Sequence, residues 1–199
     1  MKNWDLLCHT IIGVLIEKLA PFLTYHDWKH TEHVIKMAEY IAQQEQTPED
    51  DILLIKTAAL FHDAGFINSP SEGHEDESIR MAKIKLPEFG YTKHEIEIIS
   101  GMIQATSIPQ NPKTKLECIL ADADLEYLGT DCFKYMTNRL FQEMKYINPD
   151  LSVEEWNEIQ IHFLQSHSYH TPYCIQNRTP EKEKNLELLI QQRNSSGKL

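Results

Sequence analysis

Three clusters of residues have the types and spacing to do chemistry. The first is Tyr25-His26-Asp27-Trp28-Lys29-His30-Thr31-Glu32-His33-Val34, the second Ala58-Ala59-Leu60-Phe61-His62-Asp63-Ala64-Gly65, and the third Ile119-Leu120-Ala121-Asp122-Ala123-Asp124-Leu125-Glu126. In the second, imidazole and carboxylate follow an apolar run and stand just before a glycine. A buried, ionised carboxylate costs several kcal/mol unless a cation or hydrogen bonds compensate it. A metal ion supplies that compensation and takes neutral His as a ligand. Asp122 and Asp124 interrupt an apolar segment in the same way. One such Asp alone is as well explained by a backbone amide or an arginine. Together with the His-Asp pair, a shared metal is the better account.

Adjacent residues on a helix point about 100° apart. His62 and Asp63 can therefore reach one ion only near a helix end or at a packed junction. Gly65 supplies such an end. His30 and His33 lie on one helical face, so spacing alone leaves either able to reach the ion.

The elements that must hold these residues read as helices almost throughout. Apolar periodicity and breaks at proline or glycine predict helices over 4–20, 30–46 and 48–65, then over 74–86, 92–106, 113–128, 131–147, 152–168 and 180–193. Residues 67–73 read as a loop, and the tail 195–199 as frayed. No alternating run suggests a sheet. The expected fold is all-α, a single domain over 1–199, with a core of about 22–130 and C-terminal helices 131–194 packed on it.

Composition narrows the function. The net charge of -11 argues against a nucleic-acid surface. A small phosphorylated substrate is compatible with that charge, because a metal can reverse the local field. The four cysteines form no C-x-x-C pair, which suits reduced thiols in a cytoplasmic setting. The apolar N-terminal stretch is interrupted by Asp5, His9, Glu17 and Lys18; it reads as an amphipathic helix, with no membrane partner expected.

The ordered set His30, His62-Asp63 and Asp124, the last within Ala123-Asp124-Leu125-Glu126, resembles the HD superfamily of metal-dependent phosphohydrolases. The likeness covers roughly residues 22–130. It implies a helical bundle in which His30, His62, Asp63 and Asp124 hold one divalent transition metal (Mn, Fe, Zn, Co or Ni). The Ala-Asp-x-Leu register favours Asp124 over Asp122. The segment from Tyr25 is also similar to the Tyr-His-x-x-x-His-x-x-x-Val string of cyclic-nucleotide phosphodiesterases. That alignment selects His30 over His33, and it places His26 where those enzymes keep the His that protonates the departing oxygen. A capping or surface role for His26 stands beside that reading. Asp27 departs from the usual Asn of the string, and no purine-clamping Gln and Phe can be matched.

The resemblance further implies that His74 and Glu75 contact substrate or a second ion such as Mg²⁺. Binuclear members often carry a further His or His pair just before the final helix; this chain has Met102-Ile103-Gln104-Ala105-Thr106 there, which favours a mononuclear site or a second ion held mainly by Asp63 and waters. Arg178 and Lys182 are candidates for binding phosphate, against solvated helix positions. The implied activity is metal-assisted hydrolysis of a small phosphate ester, a nucleotide being favoured, with Asp63 orienting water and His26 supplying a proton. A cyclic-nucleotide phosphodiesterase is the alternative; an HD-fold di-iron oxygenase and a non-catalytic binding module rank below it. Trp28, Phe61, Phe133 and Trp156 are assigned to packing.

Overall fold

The chain was analysed as a computed structural model that describes residues 2–69 and 73–196. Ten α-helices appear among the described residues, with no strands. They are α1 (Trp4–Lys18), α2 (Trp28–Gln44), α3 (Glu49–Phe61), α4 (His74–Lys85), α5 (Lys93–Gln104), α6 (Lys115–Asp124), α7 (Phe133–Ile147), α8 (Val153–Ser166), α9 (Pro172–Asn177) and α10 (Thr179–Ser196). Tight 3-10 turns follow α3 at Ala64–Ile67, α4 at Leu86–Phe89 and α6 at Glu126–Gly129.

Local chemistry sets several of these ends. Asp27 caps α2 by accepting the Lys29 and His30 N–H groups. Thr92 with Glu95, Thr114 with Glu117, and Ser152 with Glu155 form reciprocal capping boxes on α5, α6 and α8. Each such cap is worth ~1 kcal/mol.

α2 packs on α3 and α6; α5 lies against α3, α4 and α6; α1 covers α3. Their apolar faces merge into one core holding Leu7, Val34, Ile55, Phe61, Ile99 and Leu120. A second cluster joins Tyr25, Leu128, Phe133, Ile161 and Leu189, which brings α7, α8 and α10 onto the 126–129 turn. At the contact with the start of α10, a Cβ on Gly129 would stand 2.2 Å from the Arg178 carbonyl oxygen, so glycine is what lets the two segments meet.

Two expected long helices are in fact broken. The one predicted over 48–65 ends at Phe61, and the one predicted over 113–128 ends at Asp124. In both, the chain turns where the ligand-type residues stand. Leaving the α-helix is what allows neighbouring side chains to face one point. The short α9 was not expected. The last helix extends through Ser196, so the first two residues expected to fray are helical; residues 197–199, like 70–72 of the expected loop, lie outside the described residues.

Candidate metal centre

His30 projects from the first turns of α2, His62 from the end of α3, and Asp124 from the last residue of α6. One ligand atom from each lies within 4.8 Å of the other two. Asp124 Oδ1 is 3.1 Å from His30 Nε2 and 3.4 Å from His62 Nε2. The fourth side chain, Asp63, brings Oδ2 to 3.1 Å from His62 Nε2 and 3.4 Å from His30 Nε2. Spacing left His30 and His33 open, but the fold does not. His33 is half-buried and faces away from the cluster, 3.6 Å from Glu126. Asp122 also points elsewhere: it accepts the His170 N–H, the Thr171 N–H and the Thr171 hydroxyl at 2.9, 2.8 and 2.6 Å. It fastens the segment before α9, the backbone-amide role that a lone buried Asp commonly has.

The donor set fits a divalent cation. His62 Nδ1 donates to the Ala59 carbonyl at 2.8 Å, which leaves the Nε2 lone pair aimed at the cluster. Such an outward hydrogen bond fixes the tautomer that a metal requires. Asp63 Oδ2 is buried with no hydrogen-bond partner. Burial opposes ionisation of Asp63 and Asp124, yet the facing imidazoles, His62 foremost for Asp63 and His30 for Asp124, hold both carboxyls well below the usual range. The site thus presents two anions and two imidazoles, and among the described residues no lysine or arginine is paired to them.

The turn carrying His62 and Asp63 is clamped from α4. Ser78 Oγ donates to the His62 carbonyl at 2.7 Å and accepts the Gly65 N–H at 2.8 Å. A Cβ on Gly65 would lie 1.9 Å from the His74 carbonyl oxygen. Only glycine allows α4 to start this close, and that approach sets His74 Nε2 3.6 Å from Asp63 Oδ1. Asp63 therefore turns one oxygen to His30 and His62 and the other to His74. Glu75 stands beside His74, 3.5 Å from its Nδ1. Gln104 is exposed, bonded to Ser107, and takes no part.

His26 lies before α2, outside the helix, so helical spacing does not aim it. Glu143 of α7 does. Its Oε1 accepts His26 Nδ1 at 2.5 Å, and its Oε2 accepts the Tyr25 and His26 N–H groups at 2.9 and 3.1 Å. Burial lowers the His26 pKa, but the Glu143 carboxylate and Asp63 outweigh it and hold the group above its ordinary value. Phe66 stacks against both His26 and His74, at centroid distances of 4.4 and 3.9 Å, and the two imidazoles lie 6.3 Å from each other. Glu143 and Phe66 were not singled out from the sequence. Glu143 sits 117 residues from His26 on an amphipathic helix, where nothing marks one glutamate among others. Phe66 had the available signal of an aromatic three residues past an Asp ligand.

A cavity of about 300 Å³ opens beside the cluster. His26, Asp63, His74, Glu75 and Asp124 line one end, and Leu128, Phe133, Trp156 and Leu164 are among its apolar walls. Phe133 and Trp156, read as packing residues, are thus also walls of the site. Arg178 and Lys182 do not line it. The Arg178 guanidinium donates to Glu126 at 2.6 Å, and the Lys182 ammonium donates to the Leu164 and His167 carbonyls. The phosphate role expected for them is corrected: both cations are spent on holding C-terminal segments in place.

The helix ends of one bundle thus bring two histidines and two aspartates together, a donor set that could hold a divalent metal. The HD domain family matches residues 27–126, which contain all four residues, and the chain belongs to that family. The crystal structure of a predicted HD superfamily hydrolase from an uncultured Thermotogales bacterium shares the fold. Its TM-score is 0.60 at 20% identity, over 95% of this chain and 91% of that one. No curated protein matches the sequence. No described helix is long and apolar enough to cross a membrane.

Proposed function

We propose that this protein is a metal-dependent phosphohydrolase acting on a small phosphate ester. The carrying observation is the convergence of His30, His62, Asp63 and Asp124 at one end of a cavity whose rim also holds His26. The description of the structural neighbour as a hydrolase supports the reaction type.

His30, His62 and Asp124 would hold the ion with Asp63, and the donor set suits Mn²⁺, Fe²⁺, Co²⁺, Ni²⁺ or Zn²⁺. When bound, the ion supplies Lewis-acid stabilisation of phosphoryl charge and a lowered pKa for water. Asp63 orients the attacking water through whichever oxygen is not engaged. His26, kept protonated by Glu143, gives its proton to the departing alkoxide. Phe66 stacks on one face of each imidazole and so fixes the planes of His26 and His74. His74 and Glu75 contact substrate, or share Asp63 with a second ion such as Mg²⁺. The reading places the protein in the cytoplasm, with a small phosphorylated partner and no nucleic acid or membrane.

Nucleotides, favoured by the sequence resemblance, form the first arm of the test and cyclic nucleotides the second. The test is phosphate or alcohol release from nitrophenyl esters, nucleoside phosphates and cyclic nucleotides, with Mn²⁺, Ni²⁺, Mg²⁺ or Zn²⁺ added. Turnover that vanishes on chelation and in Asp124→Asn supports the reading. Tight metal binding with no ester cleaved overturns it.

A further inference from the structure

The cavity has two unlike ends. At one stand His26, Asp63, Asp124, His74 and Glu75. Away from them the wall is Leu125, Leu128, Phe133, Leu140, Trp156 and Leu164. At the rim Ile108 and Ile159 are about half exposed, at 57% and 50%. Large aliphatic side chains at a cavity mouth are a standing cost in water, and one that a bound apolar group removes.

Polar groups able to read a ligand's body are few. Beyond the cluster the cavity's polar lining is Thr106, Thr137, Gln160 and the hydroxyls of Tyr25 and Tyr127; the two tyrosines bond each other, and Thr106 donates to the Ile103 carbonyl at 2.8 Å. The Thr137 hydroxyl already donates to the Phe133 carbonyl at 2.9 Å. The Gln160 amide faces Asn157 at 3.4 Å. No lysine or arginine is among the described lining residues. A nucleobase is selected by buried hydrogen-bonding groups that go unpaired when the wrong ligand enters. A polyphosphate chain asks for cations. This wall supplies no cation, and only the Gln160 side chain offers an amide. Its volume, about 300 Å³, is at the small end for a ligand site.

We propose that the substrate is the phosphate ester of a small apolar alcohol, its phosphate at the His-Asp end and its hydrocarbon body along the Leu128, Phe133, Trp156 and Leu164 wall. The proposal rests on the phosphohydrolase reading and turns it away from nucleotides. Recognition of the body is by area and shape, so affinity follows chain length until the cavity is full. Each buried methylene is worth ~0.8 kcal/mol, which is about a fourfold change.

The test separates binding from turnover. Methyl-, butyl- and hexylphosphonate, which keep the head group and cannot be hydrolysed at the ester position, are titrated calorimetrically into the metal-loaded protein beside adenosine monophosphate. Affinity rising about threefold to fourfold per methylene is expected, with a heat-capacity change that grows more negative along the series. Met144 and Phe163 line the cavity and are only partly buried. Met144→Gln and Phe163→Ala are expected to weaken hexylphosphonate at least fivefold, and methylphosphonate less; thermal melting confirms that each variant is folded. Equal affinity for methyl- and hexylphosphonate, or tighter binding of adenosine monophosphate than of either, overturns the proposal. Chain-length-dependent binding with no cleavage of hexyl or phenyl phosphate supports the apolar site and overturns hydrolysis alone.

Discussion

If Glu143 aims and charges His26, then Glu143→Gln should damage one step only. The glutamate accepts three hydrogen bonds, two from backbone and one from the imidazole. Glutamine keeps the size and one acceptor oxygen but loses the charge that stabilises the imidazolium. A hydrogen bond to a charged group contributes roughly 1.5–3 kcal/mol. At 1.36 kcal/mol per tenfold in rate, that is roughly a ten- to hundredfold fall in kcat. The fall should be larger at alkaline pH and smaller at acid pH. Glu143 and Asp63 hold the His26 pKa above its ordinary value. Removing one of them moves the basic limb of the profile toward lower pH. The loss must also depend on the leaving group. An alkyl phosphate expels a poor alkoxide and needs the proton, whereas a nitrophenyl ester does not. The assay is a pH–rate profile of wild type and variant on both esters. Equal losses on the two, or an unmoved basic limb, would refute the role given to His26 and Glu143.

Three further outcomes are expected. Asp124→Asn should strip the metal, measured by mass spectrometry, while Asp122→Asn should retain it and instead lose roughly 1–3 kcal/mol of stability in urea unfolding, because one of the two oxygens that accept the His170 and Thr171 N–H groups becomes an amide nitrogen; metal loss in Asp122→Asn alone would reverse the assignment. Gly65→Ala forces a Cβ to 1.9 Å from the His74 carbonyl, an overpacking expected to cost ~3 kcal/mol, or a fall in Tm of about 6–12 °C; an unchanged Tm would show that α4 is free to move. Burial, with Lys182 second, lowers the His167 pKa to about 3. The unfolded chain takes up this proton below about pH 6.5 and the folded one does not, so stability is full above that pH and should fall by roughly 2 kcal/mol by pH 4.5; His167→Gln should flatten this part of the urea-midpoint profile, and the same slope in both proteins would rule it out.

The all-α class and the positions of most helices were legible in the sequence. Helical periodicity and prolines are local signals, and they act within the few residues that form each turn. The HD family was legible as well, since His30, His62-Asp63 and Asp124 each carry their apolar context with them. What periodicity could not show was that α3 stops at Phe61 and α6 at Asp124. The turn is imposed by packing: Ser78 of α4 on the His62 carbonyl and Gly65 N–H in one case, Gly129 against the start of α10 in the other. The choices between His30 and His33, and between Asp122 and Asp124, turn on which way a side chain faces across a contact of distant segments. Tertiary structure alone decided the partners of the charges. Arg178 and Lys182 look available in a linear chain, yet the fold spends them on Glu126 and on backbone carbonyls. Glu143, unmarked among the chain's acids, becomes the group that orients His26. The cavity belongs to the same level. Its apolar wall comes from the 125–128 turn, α7 and α8, and no single segment carries the pattern of a site that exists only where they meet.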